Sequence, residues 1–168
     1  IMRLTTSGES HGKGLFAILE GVPAGLALDL ARIDGALALR QGGYGRGGRQ
    51  KIEQDRAEIM TGVRNGVTLG SPLTLAVFNR DYENWKQYMA PEGCDVSARR
   101  VTRVRPGHAD LTGMIKFATD DARNVLERAS ARETAARVAA GAVCVQLLEA
   151  LGIGIRHYVR SLGGVSDE

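Results

Sequence analysis

The run 135–151, AARVAAGAVCVQLLEAL, limits the fold more than any other part of the chain; Arg137, Gln146 and Glu149 are its main polar interruptions. It follows Ser130-Ala131-Arg132-Glu133, the spacing of a capping box, in which Ser and Glu satisfy the first free N–H groups of a helix. Gly152 is placed to end it. A helix that is apolar all round has no face to give to water and is buried on several sides. Layers must therefore surround it, and the neighbouring segments supply strands. Residues 14–21, GLFAILEG, form a short apolar run between glycines, the pattern of a buried strand. Residues 57–64 and 67–79 read as extended segments joined by Asn65-Gly66, a strong hairpin signal. Residues 153–160, IGIRHYVR, alternate apolar and polar positions and predict a half-buried strand that includes His157. Residues 29–41 place Leu30, Ile33 and Leu37 at helical spacing before Gly42 and Gly43. Residues 81–100, with the single Trp85, read as a polar surface loop. The sum is a layered α+β domain.

Composition narrows the function classes. The 168 residues suffice for one well-cored domain. The 43% hydrophobic and 24% charged fractions exclude a disordered chain. No apolar run reaches membrane-spanning length, and nothing near the start reads as a signal peptide. Ile1 before Met2 is an unusual beginning, and the ending GGVSDE, directly after an expected strand, reads as a cut end. Cys94 and Cys144 have no partner motif, which predicts reduced thiols in a cytosol. Of 22 basic residues only Lys13, Lys51, Lys86 and Lys116 are lysine. The rest are arginine, whose planar fork matches phosphate and carboxylate.

Four segments can carry chemistry. Residues 7–15, SGESHGKGL, put His11 on a loop whose glycines allow close approach to a ligand. Residues 40–51, RQGGYGRGGRQK, fit G-x-G-x-x-G but follow a helix rather than a strand, so they are not a dinucleotide fingerprint. They read either as a solvated loop or as an anion-binding lid carrying Arg40, Arg46 and Arg49. In residues 99–111, RRVTRVRPGHADL, arginines lead into His108. Like charge there disfavours the imidazolium and Asp110 opposes this, so His108 is either a structural side chain or a proton carrier. Residues 127–134, ERASARET, place Arg128, Ser130 and Arg132 at a helix start, where free N–H groups attract phosphate; Ser130 caps the helix, touches a ligand, or both. The histidines and cysteines lack metal-ligand spacing, so no metal is expected.

Together these segments resemble the chorismate synthase family. TTSGESHGKGLFAILEGVPAG is similar to that family's first signature. LRQGGYGRGGRQKIEQDRAEIMTGV, GSPLTLAVFNRDYENW, RPGHADLTGMIKF and RASARETAARVAAGAV resemble its following blocks, in order. The resemblance spans residues 1–168 and corresponds to the N-terminal portion of the family's single domain. It implies helices sandwiched between antiparallel sheets, a homotetramer and a cytoplasmic location. It implies anti-1,4-elimination of phosphate from 5-enolpyruvylshikimate 3-phosphate with reduced FMN, giving chorismate at the end of the shikimate pathway. NADPH or a separate flavin reductase would keep the flavin reduced. By position, His11 matches the acid that protonates the leaving phosphate, with a mobile loop and arginine neighbours, and His108 matches the acid that protonates the flavin near N1. Arg40 and Arg46 match basic positions at the phosphate and nucleotide end; Arg128, Ala129 and Ser130 match a flavin-binding stretch. Ser10, Arg49, Arg105 and Arg132 are the candidates for contact with substrate and phosphate. The base that removes the C6 proton falls in the family's C-terminal half. A rival reading is a basic nucleic-acid-binding module, supported by a pI near 9.1 and GRGGRQ. Against it stands an aromatic content of 5%, which leaves few stacking platforms. Another is a folded piece of the enzyme that is inactive alone. The resemblance otherwise calls for no nucleic acid and no membrane.

Overall fold

The computed structural model describes residues 1–43 and 52–167. Its centre is an antiparallel sheet of four strands. These are β1 (Arg3–Gly8), β2 (Gly14–Glu20), β3 (Glu58–Thr61) and β6 (Leu73–Phe78), in the order β1-β2-β6-β3. Between β3 and β6, strands β4 (Val63–Arg64) and β5 (Val67–Thr68) make the hairpin expected at Asn65-Gly66. Both turn residues have positive φ, 50° and 74°, the conformation for which Asn-Gly is favoured in a two-residue hairpin loop.

Strand alternation sorts the sheet. Ala17 pairs with Leu75, Leu15 with Val77 and Leu19 with Leu73, so these side chains share one face, and all are buried. That face carries α1 (Leu30–Gln41) and α5 (Thr134–Ala150). The first helix contributes Ile33 and Leu37, both fully buried; each such side chain stabilises the fold by roughly 1.5–3 kcal/mol. The second contributes Ala135, Ala136, Ala139, Ala140 and Val143. Small residues let its backbone lie close to the sheet and to α1. Its one deeply buried polar residue, Gln146, ties it to α1: the Asp29 N–H donates to Gln146 Oε1 at 2.7 Å, and Gln146 Nε2 donates to the Asp29 carbonyl. Asp29 in turn caps α1 through the Ala31 N–H.

The fold is α+β as expected. Among the described residues the main sheet covers the helices from one side, and the flank of α5 bearing Ala142, Cys144 and Val145 is half-buried. Three shorter helices follow β6: α2 (Tyr82–Met89), α3 (Asp110–Phe117) and α4 (Arg123–Ala129). A 3₁₀ turn, Ala131–Glu133, joins α4 to α5. No described helix is long and apolar enough to cross a membrane.

Three local expectations change. The loop predicted over 81–100 contains α2, because Asp81 anchors its first turn by accepting from Asn84 Nδ2 and Trp85 Nε1. The strand predicted over 153–160 is not one. No ladder partner for it lies among the described residues, and Ile153, Ile155 and Val159 are at least half exposed; alternation without a partner does not make a strand. Only the hairpin β7 (Ser161–Leu162) and β8 (Val165–Ser166) follows. The capping box is half formed. Ser130 Oγ accepts from the Arg132 N–H, but Glu133 turns to the Thr6 hydroxyl and Arg137 instead of back to Ser130.

Candidate active site

The β1–β2 connection, residues 9–13, carries His11 at one end of the sheet. Gly8 makes the approach possible: its φ is 105°, and a Cβ there would lie 2.2 Å from the Gly14 carbonyl. The loop is pinned, in contrast to the mobility expected of it. Asn79 Nδ2 donates to the Glu9 and Gly12 carbonyls at 3.0 and 2.8 Å, the Asn79 N–H donates to the Lys13 carbonyl, and the Ser10 N–H donates to the Glu127 carbonyl.

Glu127, from α4, then holds the histidine itself. Its carboxylate accepts from the His11 N–H at 2.7 Å and sits 2.9 and 3.1 Å from His11 Nδ1. Arg123 Nη1 donates to the same carboxylate at 2.7 Å. Burial pushes the Glu127 carboxyl up, but the hydrogen bond and charge of His11, with its N–H and Arg123, more than offset this and leave it below the ordinary value. On the other side, the Trp85 indole lies 3.9 Å from the imidazole, tilted 32°. Arg99 and Arg123 in turn face the indole at 4.9 and 5.1 Å.

His108 is built differently. Pro106-Gly107 makes a turn closed by the His108 N–H on the Arg105 carbonyl, with Gly107 at φ 73°. Asp110, the first residue of α3, is fully buried and accepts from His108 Nδ1. It also accepts from the Arg105 N–H and Nε, both at 3.0 Å. Arg105 Nη2 lies 3.2 and 3.3 Å from the two ring nitrogens of His108. The hydrogen bond from Arg105 is the main reason that the Asp110 carboxyl is lowered to about 2. Arg105 is raised chiefly by Asp110, and the Glu127 charge adds to this, so the two histidine units lie within electrostatic reach.

The other expected site residues divide. Ser10 is buried and meets Ser130 across the loop–helix junction, Oγ to Oγ at 3.2 Å. Arg128 donates to the Thr6 carbonyl and hydroxyl. Arg128 and Ala129 border a groove of about 300 Å³ between α3 and α4, with Ala109, Phe117, Lys116 and Val125. Asn124 links this groove to a second one of about 350 Å³ that reaches Glu9 and Glu127. Arg40 donates to Thr134 and the Ala131 carbonyl and pairs with Asp55. Arg132 is turned inward. Its Nη1 meets both oxygens of the fully buried Asp55 at 2.6 Å, and its Nε donates to Asn79 Oδ1. A guanidinium so occupied supports the His11 loop through Asn79 and does not face a ligand with those atoms. Arg46 and Arg49 lie outside the described residues. Among the described residues no group of three His, Cys, Asp or Glu could hold a metal.

Sequence reading missed Glu127, Arg123, Trp85, Asn79 and Asp55. Arg123 and Glu127 have helical i,i+4 spacing, a signal for a pair on α4 but not for its reach to His11.

Comparison with known proteins places the chain in a family. A family model described as chorismate synthase matches residues 2–168. A chorismate synthase of Aquifex aeolicus is 61% identical over 96% of this chain and 41% of its own length. One of Caldicellulosiruptor bescii is 56% identical over 98% of this chain and 43% of its own. A crystal structure of chorismate synthase superposes with a TM-score of 0.66 at 47% identity, covering 91% of this chain and 36% of that one. The chain thus spans less than half the length of the relatives it matches, and it belongs to the chorismate synthase family.

Proposed function

We propose that the protein containing this chain is a chorismate synthase. It would eliminate phosphate and a C6 hydrogen from 5-enolpyruvylshikimate 3-phosphate, as the final lyase step of the shikimate pathway in the cytoplasm. The observation that supports this most is the pair of histidines, each tied at Nδ1 to a buried carboxylate, Glu127 or Asp110. A His so anchored is held in one orientation with its other ring nitrogen directed outward, which suits general acid catalysis. His11 gives the proton to the departing phosphate. His108, flanked by Arg105, is the second acid–base group. Arg128, Arg40 and, from the residues outside the description, Arg46 and Arg49 balance the substrate and nucleotide charges.

Reduced FMN fits the chemistry of the residues present. The groove between α3 and α4 offers apolar walls at Val125, Phe117 and Ala109, with Arg128 and Lys116 for an anionic tail; Arg128, Ala129 and Ser130 would hold it. When bound there, the reduced flavin would supply an electron transiently for the departure of phosphate. NADPH or a separate reductase would keep it reduced, and the working form would be a homotetramer. Nucleic acid is assigned no part. Arg32, Arg40, Arg100, Arg105, Arg123, Arg128, Arg132 and Arg137 all pair with carboxylates of the chain itself, which leaves a smaller basic surface than the composition suggests.

The test is a chimera in which this chain replaces the matching segment of the Aquifex aeolicus relative, assayed anaerobically for chorismate absorbance with chemically reduced FMN. The chimera should turn over, the 168-residue chain alone should not, and His11→Ala or His108→Ala should slow the chimera by roughly two to four orders of magnitude. Turnover within about threefold of the parent chimera in both variants would refute the assignment.

A further inference from the structure

The side chain of Glu127 is 2% exposed, and every hydrogen bond it accepts from the loop converges on one residue. Oε2 takes the His11 N–H at 2.7 Å, and both oxygens face His11 Nδ1. The backbone N–H can only donate, and an ionised carboxylate can only accept. A ring nitrogen against this carboxylate must therefore carry hydrogen. Two further contacts hold the geometry. Arg123 Nη1 keeps the carboxylate from rotating away, and the Trp85 indole stacks on the ring. His11 Nε2 has no hydrogen-bond partner among the described residues. The charged groups around this pair include Arg123 on α4, Arg99 facing Trp85, Glu9 on the loop itself, and Arg105 of the His108 turn, which feels the Glu127 charge.

We infer that Glu127 is a positioning residue: it fixes neutral His11 as the Nδ1–H tautomer and leaves Nε2 as the atom that gains and gives the proton. The inference rests on the reading of His11 as the acid above, and it adds which nitrogen acts and what sets it. The His11 and Arg123 contacts outweigh burial, which alone would push the carboxyl up, and leave Glu127 below its ordinary value, so it stays ionised while the imidazole changes charge. Removing a charge that orients a catalytic imidazole, while keeping its shape, leaves the wrong nitrogen protonated in serine proteases and lowers turnover by about four orders of magnitude. The same logic applies to Glu127→Gln. The amide carbonyl is claimed by the His11 N–H, which the backbone fixes; the NH₂ then takes the place of Oε1, displaces the movable Arg123 Nη1 and faces Nδ1, and the ring hydrogen moves to Nε2.

The experiment reads the ring nitrogens of His11 in the full chain by long-range proton–nitrogen correlation, assigned with His11→Gln, above the imidazole titration range. The wild-type chain should show hydrogen on Nδ1 and none on Nε2. Glu127→Gln should invert this with far-UV circular dichroism unchanged, and Glu127→Asp should keep the wild-type form. In the chimera, Glu127→Gln should lower kcat about tenfold or more with KM within about threefold. A wild-type ring with hydrogen on Nε2 overturns the inference by itself, even if Glu127→Gln fails to fold. The same tautomer in wild type and Glu127→Gln also overturns it, because a purely structural latch would leave the ring unaltered. An inverted tautomer with unchanged kcat supports the positioning role and counts against His11 as the acid.

Discussion

The two histidines reach the same end by opposite routes. His108 is held by Asp110, two residues away, and by Arg105, three residues away, within a single Pro-Gly turn and the start of one helix. His11 is held by Glu127, 116 residues away, and its loop by Asn79, which Arg132 holds, Arg132 being held in turn by Asp55. One unit can form as soon as its own hexapeptide turns. The other exists only when four distant segments have packed. Loss of a single tertiary contact should therefore disturb His11 and spare His108.

The largest test of that contrast is Arg132→Ala. It leaves the carboxylate of Asp55, fully buried, with Arg40 as the one cation opposite it among the described residues, and removes the donor that orients Asn79. Breaking a buried pair from one side costs about 3–5 kcal/mol. Thermal unfolding should show a loss of this size. Amide exchange should quicken in residues 9–13 at temperatures where residues 105–110 keep their protection. Equal loss of protection in both segments would mean that the two units are not separable.

A smaller effect is expected where the units meet. A Cβ on Gly113 in α3 would fall 2.2 Å from Val125 Cγ1 in α4. Gly113→Ala should overpack this contact by about 1–3 kcal/mol and push apart the helices that carry Asp110 and Glu127. Adding Val125→Ala should restore most of the melting temperature. If the double variant is no better than the single one, the contact is not what couples the two helices.

The smallest effect is read by pH. Asp110 is lowered, mainly by the Arg105 hydrogen bond, to about 2 from an ordinary 3.8. Its ionised form thus stabilises the fold fully above about 3.8, and that contribution is lost as the pH falls through about 2. Asp110→Asn should remove this part of the acid-unfolding curve while the His11 ring keeps its tautomer. An acid limb identical to wild type would place the stabilisation elsewhere, for example on Glu127 or Glu133, which are lowered too.

Much of the frame was readable from residues alone because its causes are local. A short apolar run between glycines placed β2, the Asn65-Gly66 pair placed the hairpin of β4 and β5, and helical spacing placed α1 with Asp29 at its start. The apolar run placed α5, and Pro106-Gly107-His108-Ala109-Asp110 holds its own turn, histidine and carboxylate. The readings that changed turned on contacts that a residue pattern does not show. Residues 153–160 alternate correctly but meet no neighbouring strand among the described residues. Residues 81–100 look polar because Asp81, Asn84 and Trp85 spend their polar groups on one another in the first turn of α2.

The same division runs through the candidate site. The sequence by itself determined which residue types are present, the local turns that carry them, and the family. Only the tertiary structure decided that Glu127 holds His11, that Trp85 covers it, that Arg132 is buried instead of facing a ligand, and that the His11 loop is pinned. Local turns depend on φ preferences and short side-chain reach, which a few adjacent residues specify. A buried carboxylate is tolerable only where several donors converge on it, and their convergence on Glu127 from the β1–β2 loop and α4 is a property of the packed sheet and helices rather than of any one segment.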